Sequence, residues 1–436
     1  MRTNVAPRYT AETHEGGPAF AHMTSEQALR RSVLSCLLWE REFYESGEDI
    51  TSRIRRLAAD CPIPFIAELA IDARSKFNLR HVPLLLLREM ARRPDGTSLI
   101  ADTVKSVVQR ADEVGELLSL YWADNGGKRS IAAQVKKGLA SAIRKFDAYQ
   151  LAKYNRDAAV KLRDVLFLTH AKPRDDGQAD TWKKLVDRSL GSPDTWEVAL
   201  SAGASKKETF ERLIRDGKLG YLALLRNLRG AVAAGVDASL LAETIIARKG
   251  AQRVLPFRYV AAARSCPQLE PAIDQALSET ISELPIMPGK TAVLVDVSGS
   301  MSAKLSERSD MTRMDAAAAL ASIIHGCVRV FTFSAQVVEV PPRRGMAGVD
   351  AVINSQLHSR TYLGAAVQAI NTQVEHDRLI VITDEQAADI VPTPVAKHAY
   401  MVNVASCKNG VGYGRWTHID GFSEHVLRFI HEAEAA

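Results

Sequence analysis

The sequence predicts two structural parts, an all-helical region of repeated helices and a doubly wound α/β domain that follows it. From Ser25 to about residue 288, apolar residues recur at helical spacing in one amphipathic run after another, with almost no alternating strand pattern. After residues 284–290, a stretch with two prolines and a glycine, apolar strand-like runs alternate with helical ones. We therefore predict domains at 25–288 and 289–436.

The helical region begins with Ser25, a residue type that caps helices, and continues with Leu29, Val33 and Leu37 at helical spacing. Runs of similar style, separated by Pro, Gly or Asp, include VPLLLLREMARR, QVKKGLASAIRKF and EPAIDQALSETISEL. Helix after helix with short connections predicts stacked hairpins in a HEAT-like solenoid, although no clean repeat consensus is visible. Residues 1–24 are polar, contain Gly and Pro, and are predicted to form a flexible arm.

The second part alternates strands and helices. Strands are predicted at TAVLVDV, VRVFTFSA, VVEV, LIVITDE and HAYMVNVAS, and helices at RMDAAAALASIIHGC, LGAAVQAINTQV and SEHVLRFIHEAE. Open sheets of this kind bind ligands beyond the carboxyl ends of their strands. The polar residues that directly follow the strands are therefore the first candidates for a functional site.

The clearest candidate is the stretch at residues 291–302, where an apolar strand runs into Asp296, Ser298 and Ser300 at alternate positions. One carboxylate and two hydroxyls are hard oxygen ligands, which suit Mg²⁺ or Mn²⁺. The pattern resembles the metal-ion-dependent adhesion site of von Willebrand factor A domains. That resemblance implies a threonine in a loop that opens a helix and an aspartate that closes a later strand, roles that fit Thr361 and Asp384. In the alternative interpretation, the serines only cap the next helix.

Composition and charge limit the class of protein. The five cysteines are far apart and form no CxxC pair, which favours a reducing cytoplasm. We see neither a signal peptide nor an apolar run long enough to span a bilayer, and we expect a cytoplasmic protein without a membrane partner. Residues 128–174 carry 12 Lys and Arg against 3 Asp and Glu. A positive block of this density indicates a polyanionic partner, although such a block can also be a solvated helix face.

Several helical segments narrow the comparison further. KKGLASAIRKF, QLAKYNRDAAVKLRDVLFLTHAKP, LGYLALLRNLRG and LPFRYVAAAR resemble segments of the TROVE module, and the whole chain resembles compact bacterial or phage-type relatives of the Ro autoantigen. The resemblance implies a ring of helical repeats closed by the A domain. It also implies a non-enzymatic, monomeric protein that binds Y-like small noncoding RNA on the outer surface and single-stranded RNA 3′ ends in the ring. An exoribonuclease or another protein would bind through the A domain.

The same resemblance assigns candidate RNA contacts. Lys153 and His170 match basic and histidine positions of the family, and Arg156 lies in the same segment with a looser match. Four further residues resemble a basic helix of the ring by pattern only: Lys136, Lys137, Arg144 and Lys145. Lysine and arginine neutralise phosphates and give salt-sensitive binding, which agrees with this assignment. His170 alone is weaker support, since histidines are often buried in helices.

Two other functions are weighed against RNA binding. A solenoid adaptor could use the metal site to bind an acidic residue of a protein partner, but it would not need the basic segment. An enzyme is less favoured, because GGKRS at residues 126–130 departs from a phosphate-binding loop at two positions. Asp384 and Glu385 are adjacent on a strand and should point to opposite faces, so they do not form a carboxylate pair.

Overall fold

The structure is a computed structural model. It describes residues 11–12, 18–19, 24–34, 47–77, 79–95, 97–123, 130–284, 286–305, 311–405, 411, 414–420, 426–427, 430–431 and 434. The chain divides into two compact units, a helical unit of residues 24–34 and 50–198 and a larger unit that contains residues 199–436 together with 1–23 and 35–49. In the predicted arm, β1 (Ala11–Glu12) pairs antiparallel with β2 (Pro18–Ala19), and most of the other arm residues lie outside the described part.

The described residues of the helical unit form ten helices in succession. They are α1 (Ser25–Leu34), α2 (Gly47–Asp60), α3 (Ile63–Ser75), α4 (His81–Arg92), α5 (Thr97–Val107), α6 (Asp112–Trp122), α7 (Ala133–Ile143), α8 (Ala148–Tyr154), α9 (Leu162–Thr169) and α10 (Asp176–Val186). Helix α3 packs on α4 and α5, α4 packs on α6, α5 packs on α7, and α7 packs on α9. Helices therefore pack on the helix two further along the chain, which confirms the predicted stack of helical hairpins.

Close approach and one buried ion pair hold these helices together. A Cβ atom at Gly138 of α7 would stand only 2.7 Å from the Cβ of Val104 in α5. The two helices can therefore pack this closely because glycine has no side chain. Arg74 of α3 donates to the fully buried carboxylate of Glu113 in α6 at 2.7 Å. The other oxygen of Glu113 accepts from the amides of Gln109 and Arg110, so the buried charge is well satisfied.

The larger unit begins with further helices. Helix α11 (Trp196–Ser201) spans the division between the units and is followed by α12 (Lys206–Arg215), α13 (Tyr221–Ala233), α14 (Ala238–Ala247), α15 (Pro256–Ser265) and α16 (Glu270–Ser282). Helix α13 packs on α14 and α15, and α16 packs on α14 and α15. Helix α16 ends at Ser282, and the first strand of the sheet starts at Met287.

The sheet follows, with helices between its strands. Its elements are β3 (Met287–Asp296), α17 (Arg313–Ile323), β4 (Gly326–Phe333), β5 (Val337–Val340), α18 (Gly345–Ile353), α19 (Leu363–Gln373), β6 (Arg378–Thr383), β7 (His398–Asn403) and β8 (Thr417–Asp420). The strand order is β5-β4-β3-β6-β7-β8, and every pair is parallel except β4 with β5. This is the predicted doubly wound α/β domain.

Two described elements of the α/β domain were not predicted, namely α18 and β8. The predicted final helix at SEHVLRFIHEAE lies mostly outside the described residues, as do residues 126–129 of GGKRS. No helix within the described ranges has the length and apolar character needed to cross a membrane.

Helices α15 and α16 dock directly on helices of the α/β domain. Arg264 of α15 donates to Asp350 of α18 at 2.6 Å and to Asp315 of α17 at 3.4 Å. The carboxylate of Asp274 in α16 accepts from the Met346 amide at 2.8 Å. Here Gly345 has φ 62°, and a Cβ would stand 2.4 Å from that carboxylate. Glycine is therefore required at this contact.

Candidate metal centre and nucleic-acid interface

The candidate metal residues lie at the topological switch point of the sheet. Asp296 is the last residue of β3, and Asp384 directly follows β6. These strands are parallel neighbours in the middle of the sheet, with Val295 paired to Ile382. The chain winds from β3 towards β4 on one side and returns to β6 on the other, so both carboxylates lie at the edge where open α/β sheets bind ligands.

Backbone hydrogen bonds bring the third predicted segment to the same place. The Gly299 amide donates to the Ser359 carbonyl at 2.9 Å, and the Ala388 amide donates to the Thr361 carbonyl at 2.8 Å. Thr361 is buried and precedes α19 by two residues, as the sequence predicted for a threonine that opens a helix. The three loops that carry the predicted residues are thus joined to one another by main-chain contacts.

Asp296 is fully buried, and its carboxylate accepts two hydrogen bonds. One carboxylate oxygen accepts from the Ser298 amide at 2.9 Å, and the other accepts from the Thr383 hydroxyl at 2.6 Å. The hydroxyls of Ser298 and Ser300 lie 3.2 Å apart. Burial, followed by repulsion from the nearby Asp384 carboxylate, raises the pKa of Asp296 to about 7. A cation placed between these carboxylates would remove the repulsion, so the residues present fit a hard divalent ion.

Arg313 is a further charged residue of this site that sequence reasoning missed. It is the first residue of α17, is 1% exposed, and places a guanidinium nitrogen 3.6 Å from an Asp384 oxygen. A usable signal was present, since Arg313 opens an otherwise apolar helix and a buried arginine needs a carboxylate. Its fixed positive charge compensates part of the carboxylate charge. A metal ion would therefore have to bind beside it.

The donor set decides which ions fit. Among the described residues, no group of three or more His, Cys, Asp or Glu side chains is placed to hold a metal ion. The candidate site therefore depends on hydroxyls beside two carboxylates, a set that favours Mg²⁺ or Mn²⁺ over zinc. Glu385 does not add to it. Its carboxylate contacts His418 of β8, whereas Asp384 faces Arg313, so the two neighbouring acids diverge as predicted.

The predicted RNA contacts lie on three neighbouring helices and the segments that end them. Lys136 and Lys137 belong to α7, and Arg144 directly follows it. Lys153 lies on α8, Arg156 follows α8, and His170 ends α9 in a left-handed conformation with φ 52°. Helix α7 packs on α9, while α8 and α9 both pack on α10. Lys136 and Lys153 are half-buried, and the other residues named here are exposed.

Lys145 differs from the other predicted contacts. Its ammonium group donates to the carbonyls of Lys105 and Val108 at the end of α5. Burial of this group lowers the pKa of Lys145, although part of the side chain remains exposed. An ammonium group has three N–H donors, and these two backbone oxygens already bind two of them. We therefore expect Lys145 to anchor α5 and to contribute little to a phosphate contact.

The few carboxylates of the basic segment are occupied locally. Asp147 caps α8 by accepting from the Gln150 amide at 2.7 Å, and Asp164 accepts from the Lys161 amide at 3.0 Å. Asp157 pairs with the Lys161 side chain at 2.7 Å. Each aspartate is thus bound by a residue close to it in sequence. The surrounding lysines and arginines therefore determine the charge that this surface presents to a ligand.

Comparisons with known proteins agree with this architecture. Residues 185–322 match the family model described as the TROVE domain. The match covers about a third of the chain. The matched residues run from the end of α10 to α17 and include the Asp296 loop, whereas the basic segment precedes them. The structure is similar to the crystal structure of the Deinococcus radiodurans Ro (RSR) protein, with a TM-score of 0.63 and 16% sequence identity over 94% of this chain and 99% of that one.

The similarity to the Ro structure shows that the chain has the same fold as that protein. Among curated proteins, no relative matches the sequence. The fold assignment therefore depends on the TROVE match and the structural similarity together. The expectation drawn from the helical segments, a TROVE-type protein of Ro architecture, is confirmed.

Proposed function

We propose that the protein is a non-enzymatic RNA-binding protein of the Ro type. It acts as a cytoplasmic monomer in noncoding-RNA quality control or processing. Small structured, Y-like RNA would bind the outer helical surface, and single-stranded RNA 3′ ends would enter the ring that the resemblance implies. The observation that carries this proposal is the basic surface of α7, α8 and α9, whose few carboxylates are already engaged.

The chemistry of this surface favours RNA over an acidic protein. Cations without carboxylate partners release the counterions of phosphates when they bind, which gives strong attraction with little sequence preference. Among the described residues of the segment, six cations have neither a carboxylate partner nor a backbone carbonyl that the side chain binds: Lys136, Lys137, Arg144, Lys153, Arg156 and Lys172. The exposed His170 adds a ring that can donate to a phosphate or stack on a base.

Sequencing of RNA that copurifies with the protein tests the proposal and identifies the ligand. The variant Lys153→Ala/His170→Ala should recover less of that RNA and bind it more weakly in a filter assay. Asp296→Ala serves as the control, because Asp296 is fully buried, belongs to the other compact unit and is not one of the proposed RNA contacts. Equal losses from both variants, or no enriched RNA in the wild type, would count against RNA binding.

We also propose that Asp296, Ser298, Ser300, Thr361 and Asp384 hold Mg²⁺ or Mn²⁺, with water in the remaining positions. The support comes from the convergence of three loops and from the raised pKa of Asp296. Calorimetric titration with Mg²⁺ should show binding by the wild type and none by Asp296→Ala. Asp377→Ala is a matched control. Asp377 directly precedes β6, at the amino end of that strand, and its carboxylate accepts from the Lys290 amide. Equal binding by Asp296→Ala would refute the site.

A second function, recognition of a protein partner, is favoured by one observation beside the metal loops. Leu357 is 89% exposed in the segment that leads to Thr361, and Ile390 is 58% exposed in the segment that follows Asp384. The partner would be an exoribonuclease or another protein. Its acidic residue would bind the metal, and apolar residues beside that acid would contact the exposed apolar side chains. Capture of such a partner should be lost on removal of Mg²⁺ and in Leu357→Ser. Capture that persists without metal would exclude this use of the site.

A further inference from the structure

Two aromatic side chains stand out on the surface of the helical unit. Tyr149 of α8 is 50% exposed and Phe167 of α9 is 61% exposed. In the described part of the chain, the other large hydrophobic side chains with comparable exposure are aliphatic. Both aromatic rings therefore lie within the one segment that is densely basic. Single exposed apolar residues are common, but this coincidence with the cations points to a ligand.

Tyr149 belongs to a row of alternating rings and cations. Lys153 lies one helical turn further along α8, with its ammonium nitrogen 5.8 Å from the centre of the Tyr149 ring and 5.9 Å from that of Tyr154. On Tyr154, the guanidinium of Arg110 stacks at 4.5 Å. Arg110 is fixed in turn by two hydrogen bonds to Asp112, of 3.1 and 2.6 Å.

Helix packing does not account for the position of Tyr149. Helix α8 buries only Leu151, and its capping box between Asp147 and Gln150 fixes the first turn without the tyrosine ring. The Tyr149 ring thus contributes little to the core. It remains available while the neighbouring Lys153 charge holds a defined place beside it.

Phe167 repeats the arrangement on α9. Arg163 lies four residues before it and therefore on the same face of the helix. His170 follows three residues later and is exposed. Each helix thus presents an exposed ring with a cation one turn away.

We propose that Tyr149 and Lys153 bind one unpaired nucleotide, with the base stacked on the tyrosine ring and the adjoining phosphate neutralised by the lysine. Phe167 with Arg163 forms a second position of the same kind. The proposal rests on the proposed RNA function and deepens it. Duplex RNA hides its base faces, so this surface recognises a loop, bulge or end of the RNA whose bases are open. Every base has a flat face, so the contact selects for unpaired bases and not for sequence.

The test compares a short oligoadenylate with the same chain carrying abasic sites, which keep the phosphates and lack the bases. Affinities are measured by fluorescence anisotropy at fixed salt for the wild type, Tyr149→Leu, Tyr149→Phe and Lys153→Ala. Tyr149→Leu should weaken oligoadenylate binding roughly tenfold, a typical value for one stacked base, and should leave binding of the abasic chain unchanged. Tyr149→Phe should bind like the wild type, and Lys153→Ala should weaken both probes.

Three outcomes separate the proposals. Unchanged oligoadenylate affinity in Tyr149→Leu, or an equal loss on the abasic chain, overturns stacking while RNA binding stands. Failure of the wild type to bind either probe or any copurified RNA overturns the proposed function and stacking with it. Melting curves by circular dichroism show whether the variants are folded. Phe167→Leu then repeats the comparison at the second position.

Discussion

Replacing Lys153 with alanine should remove one phosphate contact, whereas replacing Lys145 should remove none. Six cations of the basic segment have neither a carboxylate nor a backbone carbonyl partner in the described part of the chain. If each meets a phosphate of single-stranded RNA, log affinity falls against log salt with a slope of about −4, or a loss of roughly 300-fold between roughly 50 and 200 mM salt. Lys153→Ala should make this slope shallower by about 1.

Lys145→Ala is the internal control, because it removes the same charge from the same surface. Its ammonium serves the carbonyls of Lys105 and Val108, so the salt slope should remain that of the wild type. The free energy of unfolding should instead fall by about 1 kcal/mol, as these carbonyls lose a charged donor. Binding isotherms at several salt concentrations and urea melts measure both quantities. If the two variants flatten the slope equally, the contacts of Lys145 do not decide its role and the argument fails.

Three other predictions follow from buried groups. Because the pKa of Asp296 is raised to about 7, Mg²⁺ must displace a proton at lower pH, and calorimetry should show affinity falling up to about tenfold per pH unit below 7. The metal-free protein should lose stability as pH rises from about 4 towards 7, since the folded state binds that proton more tightly than the unfolded state. Glu113→Ala leaves the charge of Arg74 buried and should cost about 3–5 kcal/mol in urea melts. The exposed Glu339→Ala should leave the melting curve almost unchanged. Gly138→Ala forces α5 and α7 apart and should cost about 1–3 kcal/mol in the same melts, whereas a stable variant would show that the helices can shift.

The sequence predicted those elements whose local pattern is strong. An apolar run followed by Asp296 was sufficient to predict β3, whereas the segments of Thr361 and Asp384 were chosen from the resemblance to von Willebrand factor A domains. Helix α18 was missed because GMAGVDAVI contains two glycines, which disfavour a helix. Those glycines are explained only by packing. A Cβ at Gly348 would stand 2.2 Å from the Arg343 carbonyl, and one at Gly345 would meet Asp274.

Side-chain partners were harder to predict than elements. The sequence pattern predicts Lys145 as one more cation of a basic helix. The residues near it in sequence do not indicate that carbonyls at the end of α5 accept hydrogen bonds from its ammonium group. Arg313 and Asp384 are 71 positions apart, so their contact depends on the whole sheet being formed. Arg110 was overlooked for the same reason, since it lies in the turn before α6 and its partner Tyr154 comes 44 positions later, at the end of α8.

The docking of α15 and α16 on α17 and α18 has a consequence for how this protein can be inherited and divided. Arg264 and Asp274 bind residues of the α/β domain, and α16 buries Ile273, Leu277 and Ile281. A gene exchange that replaced only the α/β domain would leave the charges of Arg264 and Asp274 without these partners. These helices and the sheet should therefore be inherited as one unit in recombination. A fragment intended for separate expression should accordingly start near residue 199, where the compact unit begins, and not at the change from helix to strand.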